Sequence, residues 1–523
     1  MNETASVHQG GTLGDMIVTS IRRFPDRVAF IDGQTKISYQ ELGDLICKAV
    51  ENFRRLGLRR GDGVIQLSGN RPETFVIMAA AYLMGLRSIT LHTMGGIEDH
   101  KYIVQDAKAA VFIASSSYEE RAREIHETCH DAVNHWFSHS CNSQFVDFWQ
   151  VHNEGAAEEL RCEAMPTDIV RLAYTGGTTG RPKGVMLTSR SLWMQATLLL
   201  AARPLPKDVI LLCPTPISHG AGAMIVPTLW RGGTIILQQG FDPEKFLNAI
   251  EHHRASMTFL VPTMIYTLLD HPLCKRLDLS SLKILSYGAS PMSPSRIREA
   301  LEVFGPILMQ SYGQTECPSN ILHLSPSDHM REDATILESA GLPYPGVTVT
   351  LRDDDGNEVQ DGQVGELCVR SPLVMEGYWN LPELTAQVTK GGWLHTGDMA
   401  FRDTHGYFHL VDRKKDMIIS GGFNVYPKEV EDALATHPSV LAAAVIGVPD
   451  SKWGEAVKAI VVRRSGHDVD ASTLIEFVKK SKGTVNTPKS IDFVDELPLT
   501  GLGKPDKKKL RHVYWHNLKR AVH

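Results

Sequence analysis

The sequence predicts an α/β protein: a large N-terminal domain of doubly wound sheets with a small β subdomain, followed by a small α+β C-terminal domain. Three observations carry this. Short apolar runs alternate with amphipathic stretches from residue 28 to residue 311, the pattern of strands each followed by a helix. From 341 to 378 the helical period gives way to alternating residues and turn signals. Beyond the charge run 410–416 a further set of strands and helices follows. At 523 residues the chain is too long for one ordinary core, so two or more domains are expected.

In chain order, Leu13, Ile17 and Ile21 recur at helical spacing and Pro25 stops that helix. Residues 28–31 and 37–39, linked through Asp32-Gly33, read as a hairpin, and 40–57 as an amphipathic helix. Residues 64–67, 72–84, 88–91, 98–107 and 110–114 then alternate strand with helix. After a connector, a helix near 189–202 leads to a strand at 209–213, followed by 234–237, 243–253, 257–261 and 263–269 as further α/β units. Strand 284–287 runs into Gly288-Ala289-Ser290-Pro291, and strand 307–311 into Tyr312-Gly313-Gln314-Thr315-Glu316. Ligands of doubly wound sheets bind outside the carboxyl ends of strands, where both turns fall. Asp353-Asp354-Asp355-Gly356 reads as a hairpin tip within the β subdomain. The last domain reads as helix 427–436, strands 440–446 and 456–462, helix 471–480 and strand 490–494.

Composition narrows the function classes. A net charge of −6 argues against a nucleic-acid polyanion as partner. The eight cysteines form no Cys-x-x-Cys pair, which suits free thiols in a reducing compartment, so the cytoplasm is expected. The N-terminus lacks the pattern of a signal peptide, and the longest apolar run, 75–86, is too short to span a bilayer. His126, Cys129, His130, His135, His139 and Cys141 could in principle hold zinc, but no Cys-x-x-Cys knuckle precedes the histidines, and a variable, solvated segment is the expected reading. Residues 142–166 read as an acidic connector.

The segment most plainly built for phosphate is 174–184, Tyr-Thr-Gly-Gly-Thr-Thr-Gly-Arg-Pro-Lys-Gly. Gly176, Gly177 and the other glycines let the backbone approach an anion, while Thr175, Thr178 and Thr179 can donate hydrogen bonds to its oxygens. Lys183 adds a full charge, and the loop lies between two expected strands. It is not a Walker loop, because Gly184 follows the lysine where a serine or threonine would be needed. Downstream, Tyr312 offers a flat face for adenine, Thr315 a hydroxyl and Glu316 a hard oxygen for magnesium. His219, among Gly220, Ala221, Gly222 and Ala223, sits where small residues leave room for a ligand; taken alone it suits a structural role as well.

The 174–184 loop resembles the phosphate-binding signature of adenylate-forming enzymes, the superfamily of acyl-CoA synthetases, peptide-synthetase adenylation domains and luciferases. Tyr312-Gly313-Gln314-Thr315-Glu316, Thr396-Gly397-Asp398 and the run around Arg413 follow in the order of that family, and the resemblance covers nearly the whole chain. Glycine at 176 stands where the family often has serine, which implies tuned ATP affinity. The resemblance implies ATP contacts from Thr175 to Thr179, Lys183, Gly288, Ala289, Ser290, Ser311 to Thr315, Asp398, Arg413 and Lys504, with Asp398 on the ribose. It implies His219, Ala221, Tyr287, Gly288 and Gly313 against the acyl group, and Gly421 and Gly422 along coenzyme A. Lys415 would be the hinge in 412–415, dividing a domain of 1–411 from a mobile lid of 416–523 that carries the adenylation lysine Lys504. Lys507, Lys508 and Lys509 are expected to form a solvated helix face.

The implied reaction is ATP-dependent. A carboxylate attacks the α-phosphate to give acyl-AMP, with Thr178, Glu316-bound magnesium, His219, Arg413 and Lys504 assisting, and a thiol then displaces AMP. Free coenzyme A is the expected thiol, because the chain ends soon after the lid; a stand-alone ligase loading an acyl carrier protein is the alternative. A thiol-independent oxygenase and an inert nucleotide-binding protein are the readings from other classes, and the intact Lys183, Glu316, Asp398, Arg413 and Lys504 speak against the second. Small residues with no obvious charged anchor around the expected pocket point to a hydrophobic acid, fatty, aryl or bulky cyclic such as a terpenoid. A homodimer stays open.

Overall fold

The structure is a computed structural model that describes residues 10–141, 143–151, 159–175, 181–218, 220–414, 416–420, 423–450, 453–499 and 505–515. By compactness it divides into two units, Met1–Val349 with Val369–Leu394, and Thr350–Cys368 with His395–His523. Residues 350–368 and 395–411, which the sequence reading placed with the large domain, fall in the second unit by this division.

The first unit holds two large sheets. In one, six parallel strands lie in the spatial order Leu308–Gln314, Ile284–Gly288, Met257–Leu260, Ile210–Cys213, Thr234–Leu237 and Val28–Asp32. Antiparallel strands Cys317–Leu324 and Leu342–Pro343 extend one edge and Thr35–Ser38 the other. These parallel strands are runs of Ile, Leu and Val because helices cover them, and Leu212, Ile236, Leu285 and Leu308 join Phe246, Ile250, Ile265 and Ile297 in one buried cluster.

The second sheet has eight strands. Ile169–Thr175 is followed in space by Arg87–Thr90, Gly63–Leu67, Val111–Ala114, His135–Ser138 and Val146–Asp147, all parallel. On the other side Lys183–Thr188 and Gly377–Tyr378 close the edge antiparallel. The helices start and stop where local chemistry requires. Tyr39–Arg55 begins with a reciprocal Ser38/Glu41 capping box, and Pro72–Met84, buried along almost its whole length, stops at Gly85 in the left-handed region (φ 69°).

The expected solvated segment 126–141 is ordered structure instead. It contains the end of helix Glu119–Cys129 and the strand His135–Ser138, and His126 packs edge-on against Trp136 with ring centres 4.8 Å apart. His139 Nδ1 accepts a hydrogen bond from Trp149 Nε1 at 3.2 Å. These histidines are used for packing, and no group of three metal-ligating side chains occurs among the described residues. Nor is any helix among them long and apolar enough to cross a membrane.

The strands Thr348–Arg352, Gly365–Arg370, Leu394–Arg402 and Phe408–Arg413 make a small sheet that falls almost wholly in the second unit; only the first two lie in the stretch 341–378 read as a β subdomain of the large domain, whose strands Leu342–Pro343 and Gly377–Tyr378 join the two large sheets instead. Asp353 accepts from Gly356 N at 3.1 Å at the foreseen hairpin tip. A further sheet pairs Phe423–Val425, Ile418–Ser420, Gly454–Arg463 and Val440–Asp450, with Ser490–Val494 parallel to Gly454–Arg463. Helices Pro427–Ala435 and Ala471–Lys482 pack on it through Val430, Leu434, Leu474 and Val478.

Candidate active site

Strands Ile169–Thr175 and Lys183–Thr188 form the stem of the phosphate-loop candidate, with Tyr174 opposite Gly184 and Thr175 opposite Lys183. Gly176, Gly177, Thr178 and Thr179 lie outside the described residues. Lys183 Nζ stands 5.4 Å from the centre of the Tyr378 ring. Tyr378 Oη in turn donates to Glu316 Oε1 at 2.7 Å. A cation, a carboxylate and a ring that lie successively 133 and 62 residues apart in sequence are therefore neighbours.

Glu316 occupies a hairpin tip. Gln314 pairs with Cys317, so Thr315 and Glu316 are the two connecting residues, and Glu316 O accepts from Met375 N at 2.9 Å. Just before the tip, a Cβ on Gly313 would meet the Ser319 backbone at 2.7 Å, which demands glycine there. A hard divalent cation takes carboxylate oxygens one or two at a time and completes its shell with phosphate and water oxygens. Glu316, turned by the Tyr378 hydroxyl, fits magnesium in that manner.

On the neighbouring strand Gly288 pairs with Ser311, and its absent side chain matters because a Cβ would lie 2.5 Å from Ser311 O. Ala289 follows in the left-handed region (φ 68°) with its methyl exposed, and Ser290 is half-buried. Tyr312, Gln314 and Thr315 are also half-buried. Tyr287 is a correction. Side chains alternate along a strand, so Tyr287 points away from the face of Gly288. Its fully buried ring sits in the core, with Oη 3.0 Å from Gln310 Oε1 and 2.9 Å from His329 Nε2.

Ser311 is also engaged in the interior. Its Oγ accepts from Arg203 Nη2 at 3.1 Å and lies 3.1 Å from Tyr344 Oη, while Arg203 Nη1 donates to Ser286 Oγ. Arg203, only 6% exposed, was not singled out by sequence, where it is one arginine after an apolar helix. It places a charge beneath the Gly288–Ser311 pair, where no charged side chain was expected.

His219 lies outside the described residues. The 3₁₀ turn Gly220–Met224 beyond it buries Ala221, and a Cβ on Gly222 would come within 1.8 Å of Ile217 O. Gly222 and Ala223 border a small cavity of about 30 Å³, shared with Phe75, Met78, Leu192 and Val226.

The second unit contains its own polar centre. Asp398, 6% exposed, faces Arg413 across two antiparallel strands, and Arg413 Nε lies 2.6 Å from Asp398 Oδ1. Behind this pair, Gly397 N donates to Glu366 Oε1 at 3.1 Å, and Lys414 Nζ bridges Glu366 and Asp354.

Lys415, Gly421, Gly422 and Lys504 lie outside the described residues. The glycines fall between Ser420 and Phe423, which pair with each other, and Lys504 falls between Leu499 and Pro505, which form an isolated bridge.

Lys507 corrects the expectation of a solvated lysine face. Its ammonium sits 2.8 Å from Glu431, with the side chain 19% exposed. Burial would pull its pKa down, but Glu431 and Asp412 outweigh that and hold it above the ordinary value. The partner Asp412, beside the hinge candidate, is pushed up by burial. One turn along the helix Lys507–Trp515, Arg511 pairs with Asp416.

Comparison with known proteins gives the family. The model of the AMP-binding enzyme family matches residues 17–379, and that of the AMP-binding enzyme C-terminal domain matches 429–504. A medium/long-chain-fatty-acid–CoA ligase of Mycobacterium tuberculosis is 41% identical over 531 residues, covering 97% of this chain and 91% of that protein. A feruloyl-CoA synthase of Amycolatopsis is 36% identical, with 96% and 99% covered. Among solved structures, an amide bond synthetase from Marinactinospora thermotolerans superimposes with a TM-score of 0.88 at 35% identity, covering 96% of this chain and 99% of its own. On these matches, which span both units, the chain belongs to the AMP-binding enzyme family.

Proposed function

We infer that the protein is an AMP-forming acyl-CoA ligase that activates a hydrophobic carboxylic acid with ATP and magnesium and transfers it to coenzyme A. The observation that carries this reading is the assembly of Lys183, Tyr378 and Glu316 at the stem of the phosphate loop. The fatty-acid and feruloyl ligases named above act on acids of the same character, which supports a fatty, aryl or bulky cyclic substrate.

In the first step an acid oxygen attacks the α-phosphorus of ATP, the bond to the bridging oxygen breaks, and pyrophosphate leaves. Thr175, the threonines at 178 and 179, and Lys183 hold the phosphates by hydrogen bonds and charge. Magnesium on Glu316 supplies neutralisation of phosphate charge when bound. Gly288, Ala289, Ser290 and Tyr312 to Thr315 border the nucleotide, Asp398 accepts from the ribose hydroxyls, and Arg413 and Lys504 offset charge on phosphate. His219, Ala221 and Gly313 border the acid. In the second step the coenzyme A sulfur attacks the acyl carbon and AMP departs as the leaving group, with Gly421 and Gly422 along the thiol arm. A hinge at Lys415 that exchanges Lys504 for this glycine pair belongs to the same proposal.

The cytoplasm is the proposed compartment, supported by eight cysteines that form no Cys-x-x-Cys pair. The test is coenzyme A-dependent AMP release with ATP, magnesium and a panel of hydrophobic acids, for wild type and Lys504→Ala. Thioester from wild type that is lost in the variant is the expected result. Acyl-AMP that accumulates without thioester, or that transfers only to a carrier protein, overturns the coenzyme A assignment, and absence of pyrophosphate exchange with every acid overturns the ligase reading.

A further inference from the structure

Both feet of the phosphate-loop stem are tied to a single helix, Ile97–Asp106. On the upstream foot, Tyr174 Oη donates to Asp106 Oδ2 at 2.6 Å. Next to the downstream foot, the Arg181 guanidinium stands 5.2 Å from the centre of the Tyr102 ring, one turn earlier on the same helix. A third link closes the ring of contacts. Trp379 Nε1 donates to Asp106 O at 3.0 Å, while Trp379 N donates to Gly184 O at 2.7 Å, and Gly184 is the residue paired with Tyr174. The Tyr174 ring lies over Gly184 so closely that a Cβ there would come within 3.1 Å of its Cζ.

The helix end is itself held. Arg87, 6% exposed, donates from Nη1 to Ala107 O at 2.8 Å and from Nη2 to Lys108 O at 3.1 Å, satisfying carbonyls that the helix leaves without partners. The same guanidinium stacks 4.3 Å from the Trp379 ring centre. Two strands tied to one helix hold Thr175 and Lys183, which pair across the stem, at fixed positions, so less ordering is left for nucleotide binding to bring about.

We propose that Asp106 is a positioning residue for ATP: its carboxylate through Tyr174, and its backbone carbonyl through Trp379, set the stem strands that carry Thr175 and Lys183 to the nucleotide. The proposal rests on the ligase reading and concerns nucleotide binding alone. Asp106 touches no substrate, and its carboxylate acts by accepting the Tyr174 hydroxyl.

The test is ATP–pyrophosphate exchange, with KM measured separately for ATP and for the acid, on wild type and on Tyr174→Phe, Asp106→Ala and Asp106→Asn, with thermal melting of each. Exchange by wild type establishes the ligase reading first, so a failure there is distinct from a failure of the proposal. The expected result is a KM for ATP raised about tenfold in Tyr174→Phe and Asp106→Ala, the loss of one half-buried hydrogen bond, with the KM for acid within about twofold. Asp106→Asn, which still offers an acceptor oxygen, is expected near wild type. Equal changes in both KM values, an unchanged KM for ATP, or an Asp106→Asn variant as impaired as Asp106→Ala would overturn the proposal. Should the Tyr174 variant fail to melt cooperatively, Trp379→Phe, which keeps a ring for Arg87 and removes only the indole donor, reads the same split between the two KM values.

Discussion

Asp398 and Arg413 stand directly opposite each other on adjacent antiparallel strands, carboxylate to guanidinium at 2.6 Å. The short aspartate is largely buried and the long arginine is half in solvent, with side-chain exposures of 9% and 45%. The fixed member can therefore present oxygens to a diol while the arginine swings. Asp398→Asn keeps the shape and removes the charge. It is expected to raise the KM for ATP about tenfold or more, the cost of weakening charge-assisted hydrogen bonds, and pyrophosphate exchange checks this.

Tyr378 orients Glu316 without being a metal ligand itself. Partners that orient a ligating carboxylate are worth about ten- to a hundredfold in metal affinity. Tyr378→Phe should therefore shift the magnesium concentration giving half-maximal activity upward by about tenfold, with the melting temperature little changed. An unshifted magnesium curve would show that the hydroxyl does not govern the metal.

Lys507 and Glu431 form an ion pair with both side chains about one-fifth exposed. Removing one member of such a pair leaves the other charge uncompensated. Lys507→Met is expected to destabilise the second unit by about 3 kcal/mol, read as an earlier unfolding transition in denaturant, whereas Lys509→Met, at a side chain 68% exposed, should cost almost nothing.

His139 gives the fold a pH dependence with a defined sign. Burial holds its pKa at about 4, against 6.5 in an unfolded chain. Below pH 6.5 the unfolded chain takes up a proton on this ring while the folded one does not, so stability is complete above 6.5 and falls as the pH drops towards 4. The shift corresponds to about 3 kcal/mol. Denaturant midpoints measured between pH 4 and 7 should show this loss in wild type and much less of it in His139→Gln.

Sequence reading went furthest where the signal is local. The alternation of apolar runs and helices, the hairpin bracketing 176–180, and the turn after Gly288 are all written within a few residues of the positions they describe, whereas the strand read as ending at Ser311 runs on to Gln314. What escaped it depends on distance. Tyr378 matters because it returns to the sheet edge 62 residues after Glu316, and Arg203 because it reaches Ser286 and Ser311 on strands more than 80 residues away. Tyr287 was misplaced by one step of alternation, although the Gly288 beside it already pointed to the opposite face. Lys507 and its two lysine neighbours look alike as a charge run, and only the helix Lys507–Trp515 decides which of them turns inward.

Gly222 offers a stability contrast in the turn beside the histidine candidate. Its α-carbon approaches Ile217 O so closely that even a methyl cannot fit. Gly222→Ala is expected to cost about 3 kcal/mol or more by displacing the turn, measurable as a lowered melting temperature, while Gly240→Ala meets no neighbouring atom and bears only the left-handed backbone penalty of about 1 kcal/mol.

Ala289 sits in a backbone conformation that glycine would adopt more comfortably, by about 1 kcal/mol, and its methyl is exposed beside Gly288. In a directed-evolution library randomised at this position, survivors of heating should therefore converge on glycine.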